Sequence, residues 1–200
     1  MSSTTITATQ SDQDLQQQTQ AETYSHALGG ENGVGMKNVR IGKVVLNIGV
    51  GRSGEAIERA RRVIEDLVHQ KASSRKAKSS IRDFGVHKGE PIGMMVTLRG
   101  SKAIETLQLL LKARENRLAQ SSFDDFGNCS FGIKEHIEIP GVRYSPDIGI
   151  FGMNVSAVLE RPGYRVARRT RAKSSVGKTQ RVGRDESIEF FKRNFGVEVV

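Results

Sequence analysis

The segment from residue 39 to residue 68 constrains the fold most, because its apolar pattern changes from the period of a strand to that of a helix. Residues 39–50 (VRIGKVVLNIGV) are rich in β-branched side chains and predict a strand. Ser53 suits an N-cap, and the spacing after it predicts a helix. The inner face of this helix would carry Ile57, Ala60, Val63, Ile64, Leu67 and Val68. Between strand and helix, GVGRSG fits the G-x-G-x-x-G pattern of dinucleotide-binding folds.

A dinucleotide-binding fold also needs a second buried strand that ends in an acid about 20 residues beyond the glycines. Residues 71–80 instead read KASSRKAKSS, which is too polar and basic for a core and predicts neither the strand nor the acid. We therefore expect no cofactor. Two alternatives remain for the glycines: a tight turn between strand and helix, or a turn whose backbone amides accept a phosphate, including one of an RNA backbone.

The remaining patterns predict an α+β fold. Residues 93–99 alternate, with Met94, Val96 and Leu98 on one side, and predict a half-buried strand. Three further elements are predicted: a helix over residues 101–118 and strands over residues 128–139 and 150–160. We expect a mostly antiparallel sheet with helices packed on one side, a long projecting hairpin loop and a basic C-terminal extension.

Composition divides the chain into two parts. Residues 1–35 are polar and glycine-rich and predict a disordered N-terminal extension. Residues 36–200 predict a single domain that includes a basic segment, 161–184, and a terminal helix, 185–195. The apolar side of that helix predicts docking on the main body.

The charge of the chain favours a polyanionic partner. The formal net charge is +9, and residues 1–35 hold four acids and no Lys or Arg, which leaves +13 on the rest. Residues 161–184 contain nine Lys and Arg and no acid, a composition that usually becomes ordered only on a partner. Such an excess most often indicates nucleic acid. We expect no membrane association, because no run approaches the roughly 20 apolar residues of a membrane span.

No pattern indicates an enzyme or a metal site. The four histidines are scattered, and His136 is expected at the surface. The single cysteine, Cys129, excludes an internal disulfide and is expected to be a partly buried strand residue. Asp124 and Asp125 precede Gly127 and are more typical of a turn than of a catalytic carboxylate pair.

Residues 81–93 (IRDFGVHKGEPIG) leave two alternatives open. Apolar and basic side chains are mixed there between glycines and a proline, which indicates a projecting finger with a basic, partly apolar tip. The other interpretation is a long hairpin whose Phe84 packs down on the sheet.

Four motifs together resemble a known family: VVLNIGVG at 44–51, IRDFGVHKGEPIGMMVTLRG at 81–100, SSFDDFGNCSFGIKEHIEIPGV at 121–142 and GIFGMNVSAVLERPGYRV at 149–166. They are similar to the fifth large-subunit ribosomal protein, the 5S rRNA-binding family, in its archaeal type. The resemblance runs from about Met36 to Val200. It implies a non-enzymatic cytoplasmic protein in the central protuberance of the large ribosomal subunit.

The resemblance also implies partners: 5S rRNA, 23S rRNA, the elbow of the P-site tRNA, a neighbouring 5S-binding ribosomal protein and a small-subunit head protein across an intersubunit bridge. The residues implied to bind 5S rRNA are Asn47, Gly49, Gly51, Arg52, Lys71, Arg75, Lys76 and Lys78. Those implied to contact tRNA are Phe84, Gly85, Val86, His87, Lys88 and Gly89. Those implied to contact other rRNA are Arg99, Arg161, Arg165, Arg168, Arg169, Arg171 and Lys173.

The chain departs from the family pattern in three places. Ala72-Ser73-Ser74 stands where many relatives have a proline and a hydrophobic residue, Cys129 stands where an aromatic residue is common, and residues 1–35 have no counterpart.

Overall fold

The computed structural model describes residues 35–51, 54–142, 145 and 147–200. The prediction of disorder for residues 1–35 therefore falls, apart from Gly35, outside the described residues. The described part of the chain contains the strands β1 (Arg40–Gly49), β2 (Ser73–Lys76), β3 (Pro91–Leu98), β4 (Arg117–Leu118), β5 (Asn128–Ile133), β6 (Met153–Glu160) and β7 (Glu198–Val199). Its α-helices are α1 (Glu55–Val68), α2 (Ser101–Lys112), α3 (Arg165–Arg168) and α4 (Arg184–Phe195).

Five strands form the main sheet in the order β2-β3-β1-β6-β5, and every neighbouring pair is antiparallel. Strands β4 and β7 form a separate parallel pair. The α+β class and the mostly antiparallel sheet predicted from the sequence are confirmed. Of the described helices, none is long and apolar enough to cross a membrane.

One face of the main sheet forms the core. Residues opposite each other in an antiparallel pair share a face, and the buried side chains fall on one such set: Leu46 lies opposite both Val96 and Val155, and Phe131 lies opposite Val155. The apolar faces of α1 and α2 belong to the same core cluster, through residues such as Ile64 and Leu107. Residues of the opposite face, such as Val45, Asn47 and Ser156, do not belong to this core cluster.

Strand β2 corrects an expectation from the sequence. The segment predicted to form no strand pairs with β3 at the edge of the sheet, and all four of its residues are exposed. An edge strand needs only its inner row of hydrogen bonds and no apolar face, so its polar sequence gave no signal. Because β2 is antiparallel and exposed, it is not the second buried strand of a dinucleotide-binding fold.

Two element boundaries also differ from the predictions. Helix α2 ends at Lys112, because Glu115 and Asn116 take positive φ angles, and Leu118 is buried from the short strand β4 instead. Strand β5 ends at Ile133, and a 3₁₀ helix, His136–Glu138, follows it.

The helix caps and turns in the structure agree only in part with those predicted from the sequence. Ser53, the predicted N-cap, lies outside the described residues, and Gly54 caps α1. Asp124 and Gly127 close the predicted turn, with the Gly127 amide donating to the Asp124 carbonyl oxygen at 3.1 Å. Helix α4 docks through buried Phe191, whose ring meets that of Phe123 edge to face at 5.5 Å.

His136 is buried, which corrects the expectation of a surface histidine. Its Nδ1 accepts a hydrogen bond from the Phe151 amide at 3.3 Å, and its own amide donates to the Phe151 carbonyl oxygen at 3.0 Å. Burial lowers the pKa of the imidazole. The ring therefore fixes the loop before β6 as a neutral core group.

Candidate nucleic-acid interface

The face of the sheet opposite the core is mostly polar, with Val45, Met95 and Val158 among its side chains, and we call it the open face. It is formed by residues that alternate with the core residues along each strand. Asn47 of β1 lies opposite Met95 of β3 and Asn154 of β6. The same row continues to β2, where Ser73 lies opposite Met95. Further members are Thr97, Ser130 and Ser156.

Arg75 extends this face at the β2 edge. It lies opposite Gly93, on the same side as Met95, and its Nη2 lies 3.3 Å from the Met95 Sδ. The strand register therefore brings Asn47 and Arg75, both predicted to bind 5S rRNA, onto one surface. The sequence missed Met95, Asn154 and Ser156, because their common face follows only from the pairing of strands that are distant in the chain.

Gly93 makes this pairing possible at the end of the sheet. A Cβ at this position would lie 2.8 Å from the Ile48 carbonyl oxygen, which is backbone and cannot move aside. Glycine at position 93 therefore allows β1 and β3 to pair closely at this end of the sheet, next to the glycine turn that follows β1.

The glycine turn after β1 has less free hydrogen-bonding capacity than the sequence suggests. The amides of Val50 and Gly51 both donate to the Ile92 carbonyl oxygen, at 3.0 and 2.9 Å. Those two amides are therefore unavailable for a phosphate. For Val50 and Gly51, the expectation that the turn binds a phosphate through its backbone amides is wrong. The space where a Cβ would stand at Gly49 and Gly51 is open, so another backbone can approach closely. Arg52 lies outside the described residues.

Around β2, the predicted cations are all at the surface. Lys71, Lys76 and Lys78 are exposed, while Ala72 and Ala77 are buried and hold the segment to the body. Arg99 is also exposed, but it follows β3 at the opposite end of the sheet. The predicted cations therefore extend along the β2–β3 edge, from Lys78 beside the finger to Lys71 near Arg99, where the Gln70 side chain donates to the Thr97 carbonyl oxygen at 3.5 Å.

The loop between β2 and β3, residues 77–90, forms a finger. The Ala77 amide donates to the Glu90 carbonyl oxygen at 2.8 Å, and the Gly89 amide donates to the Ala77 carbonyl oxygen at 3.0 Å. At the tip, Ile81 and Val86 form a bridge around a 3₁₀ helix, Arg82–Phe84.

Phe84 is 74% exposed and does not pack on the sheet, so the alternative of a collapsed hairpin is wrong. The other residues predicted for the tRNA-contacting loop lie beside it: Gly85, Val86, His87, Lys88 and Gly89. All of these except half-buried Val86 are exposed. The finger thus exposes an aromatic ring beside cations.

The segment after β6, residues 161–184, has a defined place on the body, and we call it the tail. Arg161 is only 10% exposed; its Nη1 donates to the Thr179 carbonyl oxygen at 3.1 Å and its Nη2 pairs with Glu186 at 2.6 Å. Arg161 is therefore mainly an internal clamp, and its contact with rRNA stays a prediction. The other predicted tail cations are all exposed: Arg165, Arg168, Arg169, Arg171 and Lys173.

The titratable groups of the core show no catalytic arrangement. Burial raises the pKa of the Cys129 thiol to about 12, so the thiol is protonated and inert at neutral pH. In the part of the chain that the structure describes, no cluster of His, Cys, Asp and Glu could hold a metal ion.

An α+β protein with an open polar sheet face, exposed basic loops and an aromatic finger is typical of structural RNA-binding proteins. A family described as ribosomal protein L5 matches residues 35–87, and the family that describes the C-terminus of the same ribosomal protein matches residues 91–190.

Archaeal relatives indicate the same family. The chain is similar to the large ribosomal subunit protein uL5 of Pyrobaculum aerophilum, with 52% identity over 164 residues, covering 82% of this chain and 92% of that protein. The proteins of the same name from Sulfurisphaera tokodaii and Nitrosopumilus maritimus are 51% and 49% identical; each match covers 82% of this chain, and 94% and 95% of the respective relative.

The chain belongs to the ribosomal protein L5 family. It is therefore a structural constituent of the large subunit of the cytoplasmic ribosome, and not an enzyme. The resemblance inferred from the sequence motifs is confirmed.

Proposed function

We propose that this protein binds 5S rRNA through the open face and the adjoining β2 cations, and helps to anchor it in the central protuberance. The observation that carries the proposal is the strand register, which brings Asn47 and Arg75 onto one surface. This surface borders the edge segment that carries exposed Lys71, Lys76 and Lys78. Arginine and lysine supply phosphate contacts, and asparagine can read a base edge. Gly49 and Gly51 allow the RNA backbone to come close.

The other exposed regions suit the remaining partners. We assign the finger tip, with Phe84, His87 and Lys88, to the elbow of the P-site tRNA, because an exposed ring beside cations suits stacking and phosphate contact. The tail cations and Arg99 suit 23S rRNA. A neighbouring 5S-binding ribosomal protein and a small-subunit head protein at an intersubunit bridge complete the proposed set of partners.

The test is direct binding of purified full-length protein to 5S rRNA. Arg75→Gln should weaken binding about tenfold, since it removes a charge-assisted contact. Arg62→Gln is the matched control, because Arg62 is an exposed arginine on α1, away from the open face. Equal effects of the two changes would contradict the proposed surface.

Salt dependence tests the electrostatic part. If about six phosphates are neutralised, log affinity should fall with log salt at a slope near −4, taking about 0.7 per contact. A binding constant that stays flat across salt would refute phosphate recognition.

A further inference from the structure

A basic cleft of about 730 Å³ lies where the tail crosses the end of the main sheet. It is lined by Arg40, Glu160, Arg161, Gly163, Tyr164, Arg165, Arg168, Arg169, Thr170 and Arg171. It is at the end of the sheet opposite the finger, because Arg40 begins β1 and Glu160 ends β6. The cleft thus combines the first strand with the tail, a juxtaposition that the sequence does not reveal.

The sequence builds the floor of the cleft around Glu160. Arg40 and Glu160 are cross-strand partners next to a register shift in β1. The Glu160 side chain lies over Gly42, where a Cβ would come within 2.5 Å of its Cδ. From there its carboxylate pairs with Arg168 of α3. Gly42 therefore provides the space in which the carboxylate holds the tail.

The charge of the cleft is strongly unbalanced, with six arginines and one glutamate in its lining. Arg161 is neutralised by Glu186, and Arg168 by Glu160. The Arg169 Nε donates to the Ala172 carbonyl oxygen, which leaves its charge uncompensated. Within the described residues, Arg40, Arg165 and Arg171 have no side-chain partner. Like charges held this close in a concave site favour an anion.

We propose that this cleft binds a phosphodiester of single-stranded or bulged RNA, with one nucleotide unit inside it. The inference deepens the proposed rRNA-binding function, on which it rests. The volume lies within the range of small-molecule sites and accommodates a nucleotide. Arginine guanidinium groups match phosphate oxygens in pairs, which favours phosphate over a simple halide.

Glu160 has two opposing effects in this site. Its carboxylate orients Arg168 towards the cleft, and it also occupies part of the hydrogen-bonding capacity of that guanidinium. A phosphate must therefore share Arg168 with Glu160. This predicts that Glu160→Gln, which keeps the shape and removes the charge, strengthens RNA binding. Generic attraction by a basic tail predicts no such special role.

The experiment uses the full chain and a fluorescent ten-nucleotide single-stranded oligoribonucleotide unrelated to 5S rRNA, read by anisotropy. Arg165→Gln and Arg171→Gln should each weaken binding about tenfold. Arg181→Gln is the matched control, because Arg181 belongs to the tail but does not line the cleft. It should change affinity by less than about twofold. Equal losses at all three positions would overturn the proposal.

The second part of the experiment changes Glu160. Glu160→Gln should raise affinity about threefold or more, while Glu105→Gln, an exposed change on α2, should leave it unchanged. Equal effects of the two changes would also overturn the proposal. Titration with inorganic pyrophosphate separates the sources of the anion: binding tighter than that of the oligonucleotide would assign the cleft to a free anion and refute the RNA assignment.

The failure of this inference is distinguishable from failure of the proposed function. If only the cleft is wrong, Arg165→Gln and Arg181→Gln behave alike, while Arg75→Gln still weakens 5S rRNA binding relative to Arg62→Gln. If the 5S rRNA proposal is wrong, the last two variants bind 5S rRNA equally well.

Discussion

The finger and the tail are both basic, mostly irregular segments, yet they are held in place in different ways. The finger is closed at its base by backbone hydrogen bonds between Ala77, Gly89 and Glu90. The tail is held by side chains: Arg161 pairs with Glu186, and Val182 is fully buried. A backbone-held loop can expose its side chains to a partner, whereas a side-chain-held segment must keep some of its charges inside.

The largest effect on stability is expected in the tail. Arg161→Ala should lower the free energy of unfolding by about 3 kcal/mol, because it removes a largely buried guanidinium with two partners and its packed stem. Urea denaturation measures the change. Arg171→Ala is the control and should cost less than about 0.5 kcal/mol, since Arg171 is exposed. Similar costs for both would remove the distinction between clamp and surface arginine.

The next effect is expected where the finger joins the sheet. Gly93→Ala should cost about 2 kcal/mol, because the new methyl group meets the Ile48 carbonyl oxygen. Thermal unfolding measures this cost. Gly132→Ala is the control, because its Cβ would lie at an ordinary 3.5 Å from the Asn154 Oδ1. A Gly93→Ala protein as stable as Gly132→Ala would contradict the close approach of β1 and β3.

A smaller effect is expected from Tyr164 in the tail. Its hydroxyl oxygen accepts a hydrogen bond from the amide of buried Val182 at 3.2 Å. Tyr164→Phe should therefore cost about 1 kcal/mol, by leaving that amide unpaired. Denaturant unfolding measures this cost, and Thr170→Ala is the control, because Thr170 is an exposed residue of the same segment. A cost no greater than that of the control would show that this hydrogen bond does not fix the tail.

The smallest effect is expected at the finger tip. Phe84→Ala should change the free energy of unfolding by less than about 0.5 kcal/mol, because the ring is exposed and its removal leaves no cavity. Calorimetry checks this value. A loss above about 1 kcal/mol would mean that the ring packs on the body after all, and the contrast between finger and tail would fail.

Much of the fold could be predicted from local pattern. The alternation in β3 placed Met94, Val96 and Leu98 inside, and all three are buried. The helical spacing after the glycine turn identified the inner face of α1. These elements each carry an apolar period of their own, and that period is visible without knowing the neighbours.

The remaining features depend on contacts between distant segments. Strand β2 has no apolar face, so only its pairing with β3 reveals it. Arg161 resembles every other tail arginine in the sequence, and only Glu186, 25 residues later, makes it internal. The open face is likewise a product of register, which places Asn47 and Asn154 opposite each other.

The shared use of the Ile92 carbonyl oxygen limits how the finger can move. Because the Val50 and Gly51 amides both donate to it, the residues that leave the finger are fixed to the turn that begins α1. The Ala77 and Glu90 pairing fixes the other side of the base. Beyond this base, residues 78–88 are joined to one another by the Ile81–Val86 bridge and by the Lys88 amide, which donates to the Ser80 hydroxyl oxygen at 2.9 Å. We therefore expect a partner that contacts the tip to shift residues 78–88 as one unit, while the strand positions of the open face stay in place.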